Sequence, residues 1–382
     1  MESAGQYCGC WILAGIRVFR SQSDRRTLSI FRIWNCTCRL RIVKLRLLRV
    51  RDWFLFRGPA IPELFVVKLL MPAGLACWVC CLAVFFVGQT ASAQQPLDPT
   101  RRYLIVHSDD AGMSHSVNRA TIAAMESGLV TSCSIMTVCP WFPEFAEWAS
   151  QHPELDFGIH LTLNSEFQKY RWGPVSGRDR VPSLVDADGW LHRRKEDVQR
   201  LARPVDVETE LRAQIDRALR AGIRLSHLDT HMGTVVSTGE MLEIYVRLGL
   251  EYRLPVMIMR NIDPQLAPDY PDLASRNLLY IEALRAEGLP SIDWLYQFYE
   301  GSDHAVRKKR YLDAFRGLQP GVSQMIIHCG TDDAELQAIT GSHFLRGDDT
   351  RIFSDPAVRA EIEGLGIELL SWTQLRVRAG RP

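Results

Sequence analysis

The chain has 382 residues, of which 47% are apolar and 23% charged, enough for one large domain or two medium ones. Its formal net charge of +1 is unevenly spread: residues 1–70 hold 13 Lys/Arg against 4 Asp/Glu, leaving 32 against 40 in the rest. The mildly acidic body offers no basic surface for phosphates and argues against a nucleic-acid partner. Its three cysteines, Cys133, Cys139 and Cys329, are an odd set and argue against a disulfide-stapled fold.

Residues 1–70 contain a run from Arg39 to Arg51 in which basic residues alternate with Leu, Ile and Val. It suits a basic amphipathic helix on a membrane surface or sequence lying upstream of the true start. The second reading is favoured, because an apolar leader belongs at the front of its chain. Leu75–Gly88 (LACWVCCLAVFFVG) has the length of a signal-peptide apolar region and is short for a membrane span. Ala91 and Ala93 fit an A-x-A cleavage site. A signal peptide is therefore expected over 71–93, cut after Ala93, with Met71 a candidate start. Residues 1–70 are set aside as a non-native or disordered extension. The processed protein is expected in the periplasm or outside the cell, without a stable membrane span.

The body reads as alternating strands and helices. Tyr103–Ser108 is a short apolar run with β-branched residues, a buried strand, and Ser116–Ser127 has helical spacing ending at Gly128. Ser132–Val138 is a second strand, Pro143–Gln151 a helix, and Asp156–Leu163 a third strand. Asn164 to about Pro204 is rich in Gly, Pro, Trp and Asp and is predicted as a long irregular insertion, of the kind that is functional or flexible. Val207–Ala221 is an amphipathic helix stopped by Gly222. Leu225–Asp229 and Pro255–Met259 are predicted strands flanking a helix at Gly239–Leu248. Helices follow at Leu273–Glu287, His304–Leu318 and Asp355–Leu365, and strands at Ile292–Leu295, Val322–Ile327 and Glu368–Ser371. This alternation means a parallel sheet covered by helices. Seven or eight strands over residues 100–375 favour an α/β fold of the (β/α) barrel type, with distortion allowed, over an open doubly wound sheet.

Polar residues gather where strands end: His107-Ser108-Asp109-Asp110, His160, His227-Leu228-Asp229-Thr230-His231, and His328. In a barrel these ends share one face, so they point to one constellation. Two imidazoles and a carboxylate suit one divalent ion, zinc among others, and leave positions open for water and substrate. A bound cation acidifies water into a nucleophile, and a separate carboxylate can take its proton. Asp109 and Asp110 suit that division only if the chain turns there, since neighbours on an extended strand face opposite ways; Gly112 supports a turn. Taken singly, each residue has a plainer role. Asp109 or Asp110 suits a helix cap, although Ser114 or Ser116 is better placed. His160 and His328 suit core or strand-end histidines, and either His227 or His231 suits a ligand. Asp332 and Asp333 suit a turn, and Glu126 and Glu166 read as solvated.

The segments IVHSDDAGMSHSVNRATIAAMESGLVTSCSIM, GIHLTLNSE, SHLDTHMG and MIIHCGTDDAEL, in this order over residues 103–340, resemble the successive motifs of the YdjC/ChbG-like carbohydrate deacetylases. The resemblance implies a (β/α) barrel, a carbohydrate substrate and one divalent metal ion, zinc or magnesium. It implies hydrolysis of an N-acetyl group on an amino sugar by water bound to that ion. It also assigns roles: Asp110, His160 and His231 as metal ligands, Asp109 as general base and His328 as general acid. Departures are Ala111 where an aromatic residue is common, Cys329 where the late motif has proline, and Met232-Gly233-Thr234 where further histidines occur. Tyr170, Trp172 and Trp190 in the insertion suit either stacking on sugar rings or a lid packed on its own aromatics. Three rival functions share these residues. They are an amidohydrolase acting on a peptide or glycolipid amide, a glycoside hydrolase, and a non-catalytic sugar-binding protein. The adjacency of Asp109 and Asp110 speaks against the second, because the two carboxylates cannot flank one bond.

Overall fold

The first strand, β1 (Arg102–Ala111), is buried at every residue after the first. Its leading half, Tyr103 to Val106, is the continuous apolar run expected of a strand covered on both sides. Its trailing half, His107 to Asp110, is polar and equally buried, so its side chains must find partners inside the protein. The structure is a computed structural model that describes residues 96–379 apart from Ser302. The expected extension at 1–70 and signal peptide at 71–93 lie outside the described residues.

After β1 the chain forms α1 (His115–Glu126), β2 (Ser132–Ile135), α2 (Phe142–Gln151) and β3 (Phe157–Leu161). It continues through α3 (Lys195–Leu201), α4 (Pro204–Arg220), β4 (Leu225–Thr230), α5 (Gly239–Tyr252), α6 (Pro271–Ala286) and β5 (Trp294–Gln297). The last part holds α7 (His304–Gly317), β6 (Gly321–Ile327), α8 (Ala334–Ile339), α9 (His343–Phe353), α10 (Pro356–Gly364), β7 (Glu368–Leu369) and α11 (Trp372–Arg378). The ladders are all parallel, in the order β4-β3-β2-β1-β6-β5, with β7 paired to the start of β1. Between β4 and β5 the segment 255–259 makes single bridges, Val256 to Leu228 and Met259 to Ile292. The amide of Leu228 donates to the Pro255 carbonyl at 2.8 Å and that of Ile292 to the Ile258 carbonyl at 3.2 Å. Pairing thus runs full circle, and the fold is the expected distorted (β/α) barrel. The predicted strand at Pro255–Met259 is a bridged segment rather than a ladder. It begins with a proline, which has no amide hydrogen to donate.

Two expectations are corrected. The stretch 164–204 contains a short 3₁₀ turn at Pro182–Leu184 and the helix α3. It also buries its own apolar residues: Trp172 is 2% exposed, and Val181, Leu184, Leu191 and Val198 are fully buried. Glu210 on α4 ties it down by accepting from the amides of Val175 and Ser176, both at 2.9 Å. The stretch is irregular up to α3 apart from that turn and one bridge, as expected, but it is a packed cover rather than a flexible loop. Helices α8, α9 and α11 were not predicted. Helix α9 has little apolar periodicity because it buries Arg346, Asp348 and Asp349 alongside Ile352 and Phe353.

The charges on α9 meet Arg307 of α7, which is 1% exposed. Its Nε reaches Asp348 Oδ2 at 3.1 Å, Nη2 pairs with Asp349, and Nη1 donates to the Glu300 carbonyl at 3.0 Å. Tyr311 Oη donates to Asp349 Oδ1 at 2.8 Å, and the His328 amide donates to Asp349 Oδ2 at 3.1 Å. This network locks α9 against the end of β6. Arg307→Ala leaves two carboxylates buried without their cation and is expected to lower unfolding free energy by about 3–5 kcal/mol. Val306→Ala on the exposed face should stay within about 0.5 kcal/mol. Denaturant unfolding of both variants checks this, and similar midpoints would refute the role given to Arg307.

Candidate active site

At the end of β1 the pairing with β2 slips between Ser108 and Ala111, and Asp110 adopts φ +69°. This left-handed residue breaks the alternation of the strand, so Asp109 and Asp110 both face the same cavity. The turn expected near Gly112 is therefore centred on Asp110 itself. Gly112, at φ +90°, completes it, and a Cβ there would lie 3.1 Å from the Met136 carbonyl. Ser114 caps α1 by accepting from the Val117 amide, which leaves both aspartates free of capping.

Asp110 Oδ1 stands 3.3 Å from His160 Nε2 and 3.2 Å from His231 Nδ1. This oxygen is buried and has no aligned hydrogen-bond donor. One donor atom from each of the three residues lies within 4.8 Å of the others. Burial alone would make both imidazoles less basic. Glu166 and Asp110 outweigh it at His231 and raise its pKa to about 9, and Asp109, Asp110 and Asp229 raise that of His160. The site therefore favours positive charge. Two imidazoles, one carboxylate oxygen without a donor and this field are a donor set that fits a divalent cation.

Each imidazole is held from behind. His231 Nε2 lies 3.1 Å from Glu166 Oε2, while His160 Nδ1 lies 2.9 Å from Ser134 Oγ and 3.3 Å from Asp229 Oδ2. Such carboxylates fix the ring orientation of a metal-binding histidine and raise its basicity. Glu166 was read as solvated and is instead a partner of His231. His227, the other candidate ligand, is buried in the barrel interior. Its ring stacks on Trp372 with centroids 4.8 Å apart, and Nδ1 lies 2.8 Å from Ser226 Oγ. Burial and the neighbouring His107 hold it neutral. Gly158 makes room for it, since a Cβ there would lie 2.4 Å from the ring.

Asp109 stays out of the triad. Its Oδ1 is 3.3 Å from His107 Nε2, and its Oδ2 is 3.8 Å from both His160 Nε2 and His328 Nε2. Burial, partly offset by His160, lifts its carboxyl to about 7. His107 also lies 3.2 Å from Asp229 Oδ2 and 3.0 Å from Ser132 Oγ, and thus bridges two buried carboxylates. His328 stands at the cavity wall with its ring 5.4 Å from that of Tyr299. Burial, then Arg346, push its pKa down to about 3.

The cavity encloses about 450 Å³ and is lined by all five predicted site residues, Asp109, Asp110, His160, His231 and His328. Arg346 lines it too, and its Nη2 donates to Asp110 Oδ2 at 2.6 Å. The aromatic residues facing it are Phe167, Tyr270, Phe298 and Tyr299. Tyr170 and Trp172 instead pack inward, with Tyr170 Oη donating to the Met113 carbonyl and Trp172 Nε1 to that of Asn164. Asp333 caps α8 and takes no part in the site. Glu166, Asp229, Ser134 and Arg346 are the residues that sequence reasoning did not assign. Asp229 and Glu166 sit inside segments already singled out, and Arg346 carries no local signal.

The family of YdjC-like proteins matches residues 103–364. A carbohydrate deacetylase from Thermoanaerobacter pseudethanolicus is 27% identical over 276 residues, covering 72% of this chain and 100% of that protein. A carbohydrate deacetylase from Brevibacillus brevis is 40% identical over 153 residues, covering 40% of this chain and 58% of that protein. Among solved structures, a candidate cellobiose-phosphate cleavage protein from Enterococcus faecalis superposes with a TM-score of 0.60. It is 27% identical and covers 72% of this chain and 99% of its own.

Equilibrium dialysis against Zn²⁺ is expected to give one ion per chain and near-complete loss in His160→Ala or His231→Ala. Glu166→Gln should weaken binding about 10–100-fold, and His227→Gln should leave it within about threefold. Loss of the ion on changing His227, with His231 dispensable, would overturn this ligand set.

Proposed function

This chain belongs to the YdjC-like protein family, and from that premise we propose that it is a metal-dependent carbohydrate deacetylase. The reaction is hydrolysis of an N-acetyl group on an amino sugar or short oligosaccharide, releasing acetate. The observation that carries the reading is the division of labour between two neighbouring aspartates. Asp110 turns an oxygen without a hydrogen-bond donor toward two imidazole nitrogens, while Asp109 lies beside them and outside the triad. Relatives named as carbohydrate deacetylases, matched along their whole length, support the substrate class.

Asp110, His160 and His231 would hold the divalent ion, zinc or magnesium. When bound, the ion supplies Lewis acidity that activates water and polarises the acetyl carbonyl. Asp109 takes a proton from the attacking water. A carboxyl lifted by burial is a stronger base than an exposed one, although a cation beside it draws the value back down. His328 is neutral at rest and 3.8 Å from Asp109 Oδ2, within a short step of the proton Asp109 acquires. It passes that proton to the departing nitrogen, which leaves as an amine. Tyr270, Phe298 and Tyr299 supply ring faces in the cavity against which a sugar can rest. With the signal peptide read at 71–93, the activity belongs to the periplasm or the cell exterior.

Protein starting at Gln94 is expected to release acetate from N-acetylated sugars or short oligosaccharides, and a chelator should abolish the release. Asp109→Asn should lower kcat by at least about 10²–10⁴-fold while the ion stays bound. Cleavage of glycosidic bonds without acetate, or turnover indifferent to chelation, would refute the deacetylase reading. Activity on peptide or lipid amides alone would keep the chemistry and replace the substrate.

A further inference from the structure

Arg346 is the one Arg or Lys in the cavity wall among the described residues, and no motif assigned it. It is buried, and its guanidinium is only partly used. Nη2 donates to Asp110 Oδ2, while Nε and Nη1 are buried without any partner. A guanidinium carries five donors in a rigid fork, and leaving them unmade inside a protein is costly. The fold nevertheless goes to some length to place this residue. Gly330 gives it room, since a Cβ there would lie 2.9 Å from Arg346 Cβ. Thr350 clips α9 to the loop after β6 by accepting from the Gly330 amide at 2.9 Å and donating to the Gly330 carbonyl at 3.0 Å.

If the only task were to fix Asp110, a fixed positive charge would be a poor choice. It lies beside a carboxylate meant to face a cation and opposes that cation's binding. A small neutral donor would orient the oxygen without that penalty. The compensating role must use the donors left over, on a side chain that lines the cavity.

We propose that Arg346 is a catalytic residue: Nη2 fixes Asp110 so that only Oδ1 faces the imidazoles, and the unpartnered Nη1 arm donates a hydrogen bond to the oxygen of the scissile acyl group. That oxygen gains negative charge as water adds to the carbon. A donor already in place holds the charged form better than the starting carbonyl. No proton leaves Arg346 at any stage. This inference rests on the deacetylase reading.

The test uses Arg346→Gln, Arg346→Lys and Arg346→Ala, each loaded with Zn²⁺. Arg346→Gln is expected to bind Zn²⁺ as tightly as the parent or more tightly, with kcat lowered about 100–1000-fold and KM within about threefold. Arg346→Lys should remain impaired, because an ammonium cannot serve both oxygens in the same geometry. Guanidinium ion added to Arg346→Ala should recover at least about tenfold in kcat if it occupies the vacated site. Acetate, the product anion, is titrated into each zinc-loaded protein by calorimetry and should bind at least about tenfold more weakly to Arg346→Gln. Unchanged acetate affinity, or a loss of activity fully explained by loss of zinc, would overturn the proposal and leave Arg346 as a positioning residue for Asp110. If the parent releases no acetate from any substrate, the deacetylase reading fails separately, and the acetate titration still decides whether the free arm receives an acyl oxygen. Should Arg346→Ala not fold, Arg346→Lys carries the same comparison.

Discussion

The geometry of the site depends on the backbone of Asp110. An aspartate at φ +69° costs the chain free energy that an extended residue would not. That conformation ends β1 in a bulge and brings two successive carboxylates to one side, where a regular strand would send them apart. Everything else arranges itself around the result. The oxygens of Asp110 are divided, Oδ1 toward the imidazoles and Oδ2 toward Arg346. Asp109 is kept beside the triad but outside it. Met232 and Gly233, both left-handed after His231, form a second such turn in the cavity lining.

The barrel interior beneath these residues is unusually polar for a core. His107 links Asp109 and Asp229 to Ser132, Ser132 donates to Asp156, and Asp156 also accepts from Ser226 and Thr373. His107 Nε2 lies near both carboxylates without an aligned hydrogen bond, while the hydroxyl bonds of Ser132, Ser226 and Thr373 fix the lower part of the column. The strand alternation that points His107 and Asp109 inward along β1, and His227 and Asp229 inward along β4, builds this column. The apolar packing that stabilises the domain lies outside the ring, between strands and helices. The parallel β-strands are therefore apolar on the helix side and polar toward the site.

That arrangement explains what could be read in advance. Strand ends rich in Asp and His, followed by Gly, stood out because apolar strands are otherwise bare of such groups, and the barrel brings their C-terminal ends to one face. From spacing alone the choice between His227 and His231 was not readable, and only the resemblance of the SHLDTHMG motif selected His231. Four residues apart on a strand leading into a loop, they could be separated by position only by knowing where β4 ends. The ladder places His227 inside β4, against Trp372 of the last helix, a contact with no local sequence trace. Glu166 was misread because it follows a strand by several residues, and only the fold of the cover returns it to His231. Helix α9 was missed for a physical reason: its buried face is charged, and a hydrophobic period cannot reveal a helix whose partners are Arg307, Asp110 and the His328 amide.

Arg346 and Asp349, three residues apart on that helix, show why the charged face is worth its cost. Asp349 grips the backbone of His328 while Arg346 grips the side chain of Asp110. One helix thus sets the two sides of the cavity relative to each other, the side of Asp110 with its two imidazoles and the side of His328. Apolar contacts would have stabilised α9 equally well but would have left its rotation about its axis loosely determined. Hydrogen bonds to charged groups are directional, and the separation of 3.8 Å between Asp109 and His328 is meaningful only if neither wall can slide. The buried ion pairs of α9 therefore fix geometry first, and whatever they add to stability follows from leaving none of their carboxylates unpaired.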